Sequence, residues 1–261
     1  MKSVRQPAVA GMFYPADRAE LQHQVREFLD AAERKEISPK ALVAPHAGYI
    51  YSGPIAGTAY AQLAPLAQRI RRVLLLGPAH RLAFRGLAYS AASSFHTPLG
   101  DVEVDLEALD AIRDLPQVQE SDAPFEGEHC LEVQLPFLQT VLEDFKVVPL
   151  LVSDAKAQDV AEVLEKLWGG DETLIVISSD LSHYLDYASA RAIDAETSQA
   201  IEQLQPEAIG PHQACGRNPL NGLLLEAQRH GLEAATLDLR NSGDTAGPRT
   251  QVVGYGAYAF S

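Results

Sequence analysis

The sequence predicts an α/β domain built on a mostly parallel sheet with helices on both faces. Two observations carry that expectation. Short uninterrupted apolar runs recur at Ala41 to Ala44, Val73 to Leu76, Val147 to Val152 and Thr173 to Ile177. Strands buried on both faces read this way, because neither face meets water. Between these runs lie longer stretches whose apolar residues return every three or four positions, the period of a helix with one buried face. Strands alternating with helices imply crossover connections, and hence parallel pairing.

The elements follow in order. Asp17 and Glu20 have the spacing of a capping box, and Leu21, Val25, Phe28, Leu29 and Ala32 step at helical period, so 17–35 is expected as a helix. Ala41 to Ala44, bounded by prolines, is the first buried strand. Residues 54–67 read as a helix with Pro54 in its tolerant first turn. Val73 to Leu76 is a second strand and 86–90 a third. Leu131, Leu135, Leu138 and Leu142 form a helical stripe over 128–142, in which Pro136 is expected to produce a kink. Val147 to Val152 is a strand, Ala155 to Trp168 a helix, and Thr173 to Ile177 a β-branched strand. Helices at about 187–204 and 218–230 precede strands near 234–240 and 250–260, expected as an antiparallel edge.

A chain of 261 residues, 46% of them hydrophobic, can bury one large core. It shows no linker, low-complexity tract or repeat, so 1–261 is expected to be one domain. The formal net charge of −14 disfavours nucleic acid and anionic membranes. Arg69, Arg71 and Arg72 are the only tight basic cluster. Two cysteines, Cys130 and Cys215, do not make a disulfide framework. Met1 to Gly11 lacks the apolar core of a secretory signal, and no apolar run approaches the roughly 20 residues of a membrane span. The cytoplasm is the expected compartment.

Three of the core strands run into a histidine just past their C-terminal ends: His46 after Ala41 to Ala44, His80 after Val73 to Leu76, and His183 after Thr173 to Ile177. Ligands of open α/β sheets bind outside these ends, so the three histidines are expected to share a site if their strands are neighbours. Cys215 lies beside Arg217 and a helix start, with Asn218 as its cap and Pro219 in its first turn. That setting should lower the thiol pKa and suit either metal ligation or nucleophilic attack. Cys130 reads as a buried inert thiol. Glu128 and His129 read either as partners of the site or as helix-start residues. Ser178 and Ser179 lack a nucleophile elbow. His23, His212 and His230 read as surface residues without supporting neighbours, and His96 as a loop residue with an even chance of facing the pocket.

These residues sit in motifs that resemble the Memo family along nearly the whole chain. The motifs are Arg5 to Gly11 with Phe13-Tyr14-Pro15, Pro45 to Gly53, Gly77 to His80, Glu126 to Phe137, Ser178 to Tyr184, Cys215-Gly216-Arg217 and Asn241 to Thr245. The resemblance implies a fold similar to the class III extradiol dioxygenases, which use non-haem Fe(II). It implies His46, His80 and Cys215 as metal ligands, with His183 and Asp180 as catalytic neighbours. Tyr49, Glu128, His129 and Arg217 are the expected substrate-binding residues. A cysteine takes the place of the glutamate in the dioxygenases' facial triad, and Cys130 stands where a serine is expected.

Two imidazoles and a thiolate suit Fe(II), the favoured metal, and equally Cu or Zn. The expected activity is a dioxygenase-like oxidation of a small substrate. The competing expectations are a binding or scaffold protein that receives a peptide in the same pocket, and a zinc- or cysteine-dependent hydrolase using Cys215, His183 and Asp180. An oligomer is compatible with all of them.

Overall fold

The computed structural model describes residues 3–261; Met1 and Lys2, part of the expected 1–261 domain and of the N-terminal segment expected to carry no signal, lie outside the described residues. The chain opens with β1 (Val4–Arg5) and α1 (Arg18–Asp30). Asp17 caps α1, its carboxylate accepting from the N–H groups of Ala19 and Glu20 at 2.9 Å. Then come β2 (Ala41–Ala44), α2 (Tyr49–Ala61), β3 (Arg72–Pro78), β4 (Leu87–Tyr89), β5 (Ser94–Thr97), β6 (Gly100–Glu103), α3 (Leu106–Ile112) and β7 (Val118–Glu120). The second half carries α4 (Leu135–Val141), β8 (Lys146–Val152), α5 (Ala157–Leu167), β9 (Thr173–Ser178) and β10 (His183–Leu185). It closes with α6 (Tyr187–Glu202), α7 (Arg217–His230), β11 (Ala234–Asn241) and β12 (Val252–Phe260).

The large sheet has the order β10-β12-β2-β9-β3-β8-β4-β7, with β11 on β12. Its centre, β2-β9-β3-β8, is parallel throughout, and β2 and β9 are buried along their whole length. A separate small sheet joins β1, β5 and β6. Helices α1, α2 and α4 pack on one another, as do α5 and α7. Among the described residues no helix is long and apolar enough to cross a membrane.

Three elements differ from the sequence expectation. Helix α2 begins at Tyr49, so Pro54 lies inside it and not in its first turn. Nine of its thirteen residues are buried, and that packing outweighs the hydrogen bond which proline cannot make. The stretch 128–142 is not one helix. It is a loop, a 3-10 turn at Glu132–Gln134 and the short α4, where Pro136 occupies the first turn and kinks nothing. The terminal strands are antiparallel, but only β11 is an edge, since β12 also pairs with β2.

Helices α1 and α2 meet where Gly57 lies against Phe28. A Cβ there would stand 2.6 Å from the Phe28 carbonyl oxygen and 2.7 Å from its Cβ. Backbone cannot yield as a flexible side chain does. Gly57→Ala is therefore expected to destabilise the fold by about 1–3 kcal/mol, read as a lower urea midpoint; an unchanged midpoint would show that the two helices can separate freely.

Candidate metal centre

Neighbouring strands stand about 4.8 Å apart, so β2 and β3, separated only by β9, end about 10 Å apart. Side chains can bridge that gap. His46 and His80, just past β2 and β3, meet in front of β9 with ring centroids 5.1 Å apart. Cys215 enters from the turn before α7, and its Sγ lies 3.2 Å from His46 Nε2. One donor atom each from His46, His80 and Cys215 fits within a 4.8 Å span. Gly216 allows this approach: a Cβ there would be 2.7 Å from the Ser178 carbonyl oxygen.

The ring orientations have identifiable causes. Ser178 Oγ donates to the Cys130 carbonyl at 2.6 Å and accepts from Gln134 Nε2 at 2.8 Å. Its remaining lone pair takes the Nδ1–H of His46, 2.8 Å away. Gln134 is itself oriented by the Tyr60 hydroxyl, which donates to its Oε1 at 2.8 Å. His80 Nδ1 bonds Glu128 Oε1 at 3.0 Å. With both Nδ1 atoms bound as donors, each Nε2 keeps its lone pair for a ligand. Burial, reinforced by the neighbouring His80 and His129, pushes His46 well below the usual histidine range, so it is neutral. Two imidazole nitrogens and a sulfur facing one another are a fitting donor set for a soft or borderline metal.

The Cys215 thiol departs from expectation. Burial raises its pKa, and the nearby Asp180 carboxylate raises it further, against the lowering expected of a helix start. Its thiolate therefore needs a cation at the sulfur. The cysteine-hydrolase arrangement is not assembled either. Cys215 faces His46, His183 Nδ1 bonds the Leu181 carbonyl at 2.8 Å, and Asp180 Oδ1 accepts the backbone N–H of His46 at 2.7 Å. Asp180 is buried, which pushes its carboxyl up to about 6 against the backbone N–H of His46 and the charge of His183.

A cavity of about 640 Å³ opens over this cluster, lined in part by His46, His80, His129, Asp180, His183 and Tyr255. His129 stacks on His80 at 5.2 Å, backed by Phe13 at 4.7 Å. Three expected substrate contacts are placed elsewhere, Glu128 among them, where it bonds His80 Nδ1. Tyr49 is buried in α2 with its hydroxyl donating to the Val133 carbonyl at 2.7 Å, and Arg217 opens α7 outside the cavity wall. His96 is also outside it, in β5 with Asp101. Ser178, Gln134 and Tyr60, which support His46, carry no local sequence signal of that role beyond the place of Ser178 and Gln134 within the motifs.

Glu128 serves the site indirectly. Burial alone would raise its pKa, but His80 and the backbone N–H groups of His80 and Cys130 hold it far below the carboxylate range. Glu128→Ala is expected to weaken metal binding about 10–100-fold by freeing His80 to rotate. Metal retention after desalting measures this, and full retention would mean that His80 is held without Glu128.

Comparison with known proteins agrees with this architecture. A family model described as Memo-like protein matches residues 5–259. A MEMO1 family protein of Aquifex aeolicus is 37% identical, covering 97% of both chains. One from Thermotoga petrophila is 35% identical over 96% of this chain and 97% of its own. Another, from Methanosarcina mazei, is 34% identical over 97% of this chain and 98% of its own. The match runs through β2, β3, β9 and the Cys215 turn alike, and the chain belongs to the Memo family.

Proposed function

We propose that the protein is a metal-dependent oxidoreductase, with iron held by His46, His80 and Cys215, that oxidises a small hydroxylated substrate. The observation supporting this most directly is the pairing of two committed Nδ1 donors, on Ser178 and Glu128, with free Nε2 atoms turned toward one sulfur. Iron bound there supplies one-electron redox chemistry and open positions for substrate and O₂. His183 lines the same cavity. Its Nδ1–H is committed to the Leu181 carbonyl, so Nε2 is the basic atom, placed to take the proton of a substrate hydroxyl. Asp180 fixes the backbone at His46 and offsets the charge that His183 acquires. The cavity wall includes no Lys or Arg among the described residues, which suits a neutral substrate.

The test is anaerobic reconstitution with Fe(II), addition of catechol-like compounds, and measurement of O₂ uptake on admitting air. Uptake should depend on substrate and fall about 10²–10⁴-fold in His183→Ala. Uptake without substrate, accompanied by oxidation of Cys215, would count against the reading. A binding role has one observation of its own: Met12, Ile50 and Tyr184 stand 72%, 63% and 70% exposed around the cavity mouth, an apolar rim suited to a peptide. Protein that takes up no iron under anaerobic loading would favour that second reading.

A further inference from the structure

His230 closes the C-terminal end of α7, so about 20 Å of helix separates it from the turn bearing Cys215. Its ring lies flat on Trp168, with centroids 3.8 Å apart and planes 8° from parallel. That stack aims Nε2 at two carboxylates, Glu165 Oε2 at 2.7 Å and Glu226 Oε2 at 3.5 Å. The Glu226 side chain is fully buried. Its Oε1 receives Arg229 Nη1, while Oε2 has no hydrogen-bond partner. A buried carboxylate oxygen without a donor is costly. An ion pair between His230 and Glu165 accounts for the 2.7 Å contact, while Glu226 Oε2, 3.5 Å from the same nitrogen and with the Glu165 carboxyl beside it, makes no hydrogen bond of ordinary geometry. A cation between the three groups would engage all of them, since their donor atoms fall within a 4.8 Å span. Glu165 and His230 both lie in the last turn of their helices, α5 and α7. The helix dipoles there add negative potential.

We propose that Glu165, Glu226 and His230 form a second metal site, for a zinc-like divalent cation, that clamps the C-terminal ends of α5 and α7. Two carboxylate oxygens and one imidazole nitrogen suit such an ion, with water completing the coordination. Glu165 and His230 are open enough to solvent, at 56% and 31%, for the ion to enter.

Trp168 is the only tryptophan in the chain, so its emission reports on this site and not on the first. Zn(II) titrated into the protein at neutral pH should change that emission saturably. Glu226→Gln should weaken the response at least about tenfold. His230→Phe, which keeps an aromatic ring on Trp168, should bind one equivalent of Zn(II) fewer than the parent in equilibrium dialysis. His46→Ala should leave the emission response intact. An emission that ignores Zn(II), or variants that bind it as tightly and in the same number as the parent, would reduce the cluster to an ion pair and overturn the proposal.

Discussion

His46→Ala or His80→Ala is expected to weaken iron binding by more than about a hundredfold, whereas His183→Ala keeps it within a few-fold of the parent. Loss of a group that only orients a ligand costs about 10–100-fold, and loss of the ligand itself should exceed that. His46 Nε2 lies 3.2 Å from the Cys215 sulfur, and His80 completes the same 4.8 Å set. His183 is tethered to Leu181 instead and lines the cavity beside them. Anaerobic loading with Fe(II), desalting and elemental analysis read the effect directly. Equal loss in all three variants would make His183 a ligand and remove the base from the proposed reaction.

The other large effect concerns the N-terminal segment. Glu132 is 4% exposed, yet its carboxylate has three donors from that segment. Oε2 accepts from Ala8 N–H at 2.6 Å, and Oε1 accepts from Val9 N–H at 3.0 Å and the Tyr14 hydroxyl at 2.6 Å. Burial of Tyr14, with the Glu132 charge beside it, drives its phenol far above the usual range, so it remains a donor. Glu132→Leu strands all three donors. At about 1–3 kcal/mol for each group left unsatisfied, the expected loss is about 3–9 kcal/mol, a large part of the 5–15 kcal/mol typical of a domain. Urea denaturation measures it. A loss below about 1 kcal/mol would mean that water replaces the carboxylate. The same segment carries Phe13, whose carbonyl accepts from Tyr49 N–H at 2.7 Å and whose ring backs His129. Partial unfolding should therefore loosen the cavity wall as well.

The parallel core and the position of the histidines were legible in the residues because both depend on local pattern. An uninterrupted apolar run such as Thr173 to Ile177 requires burial on both faces wherever it lies in a fold, and a polar residue just beyond it must emerge at a sheet edge. Local pattern therefore puts His46, His80 and His183 at one sheet edge. It could not supply the strand order. Whether β9 would lie between β2 and β3, bringing His46 within 5.1 Å of His80, depends on packing between segments more than a hundred residues apart.

The misplaced expectations share one cause. The immediate neighbours of Cys215 predict a lowered thiol pKa, yet the fold half-buries it against Ser179 and Asp180, and that desolvation dominates. Local pattern puts Pro54 in the first turn of a helix, but the packing of α2 against the core tolerates it inside. Tyr49 and Arg217 share motifs with the ligands and still lie outside the cavity, because direction from a backbone is set by the element and not by sequence distance. Along the chain His230 reads as a surface residue; its partners, Glu165 on α5 and Trp168 just past the end of α5, become neighbours only when α5 packs on α7. Periodicity and local chemistry thus specified the elements and the site's histidines, while desolvation and long-range pairing, which no short stretch contains, determined its charge states and supporting partners.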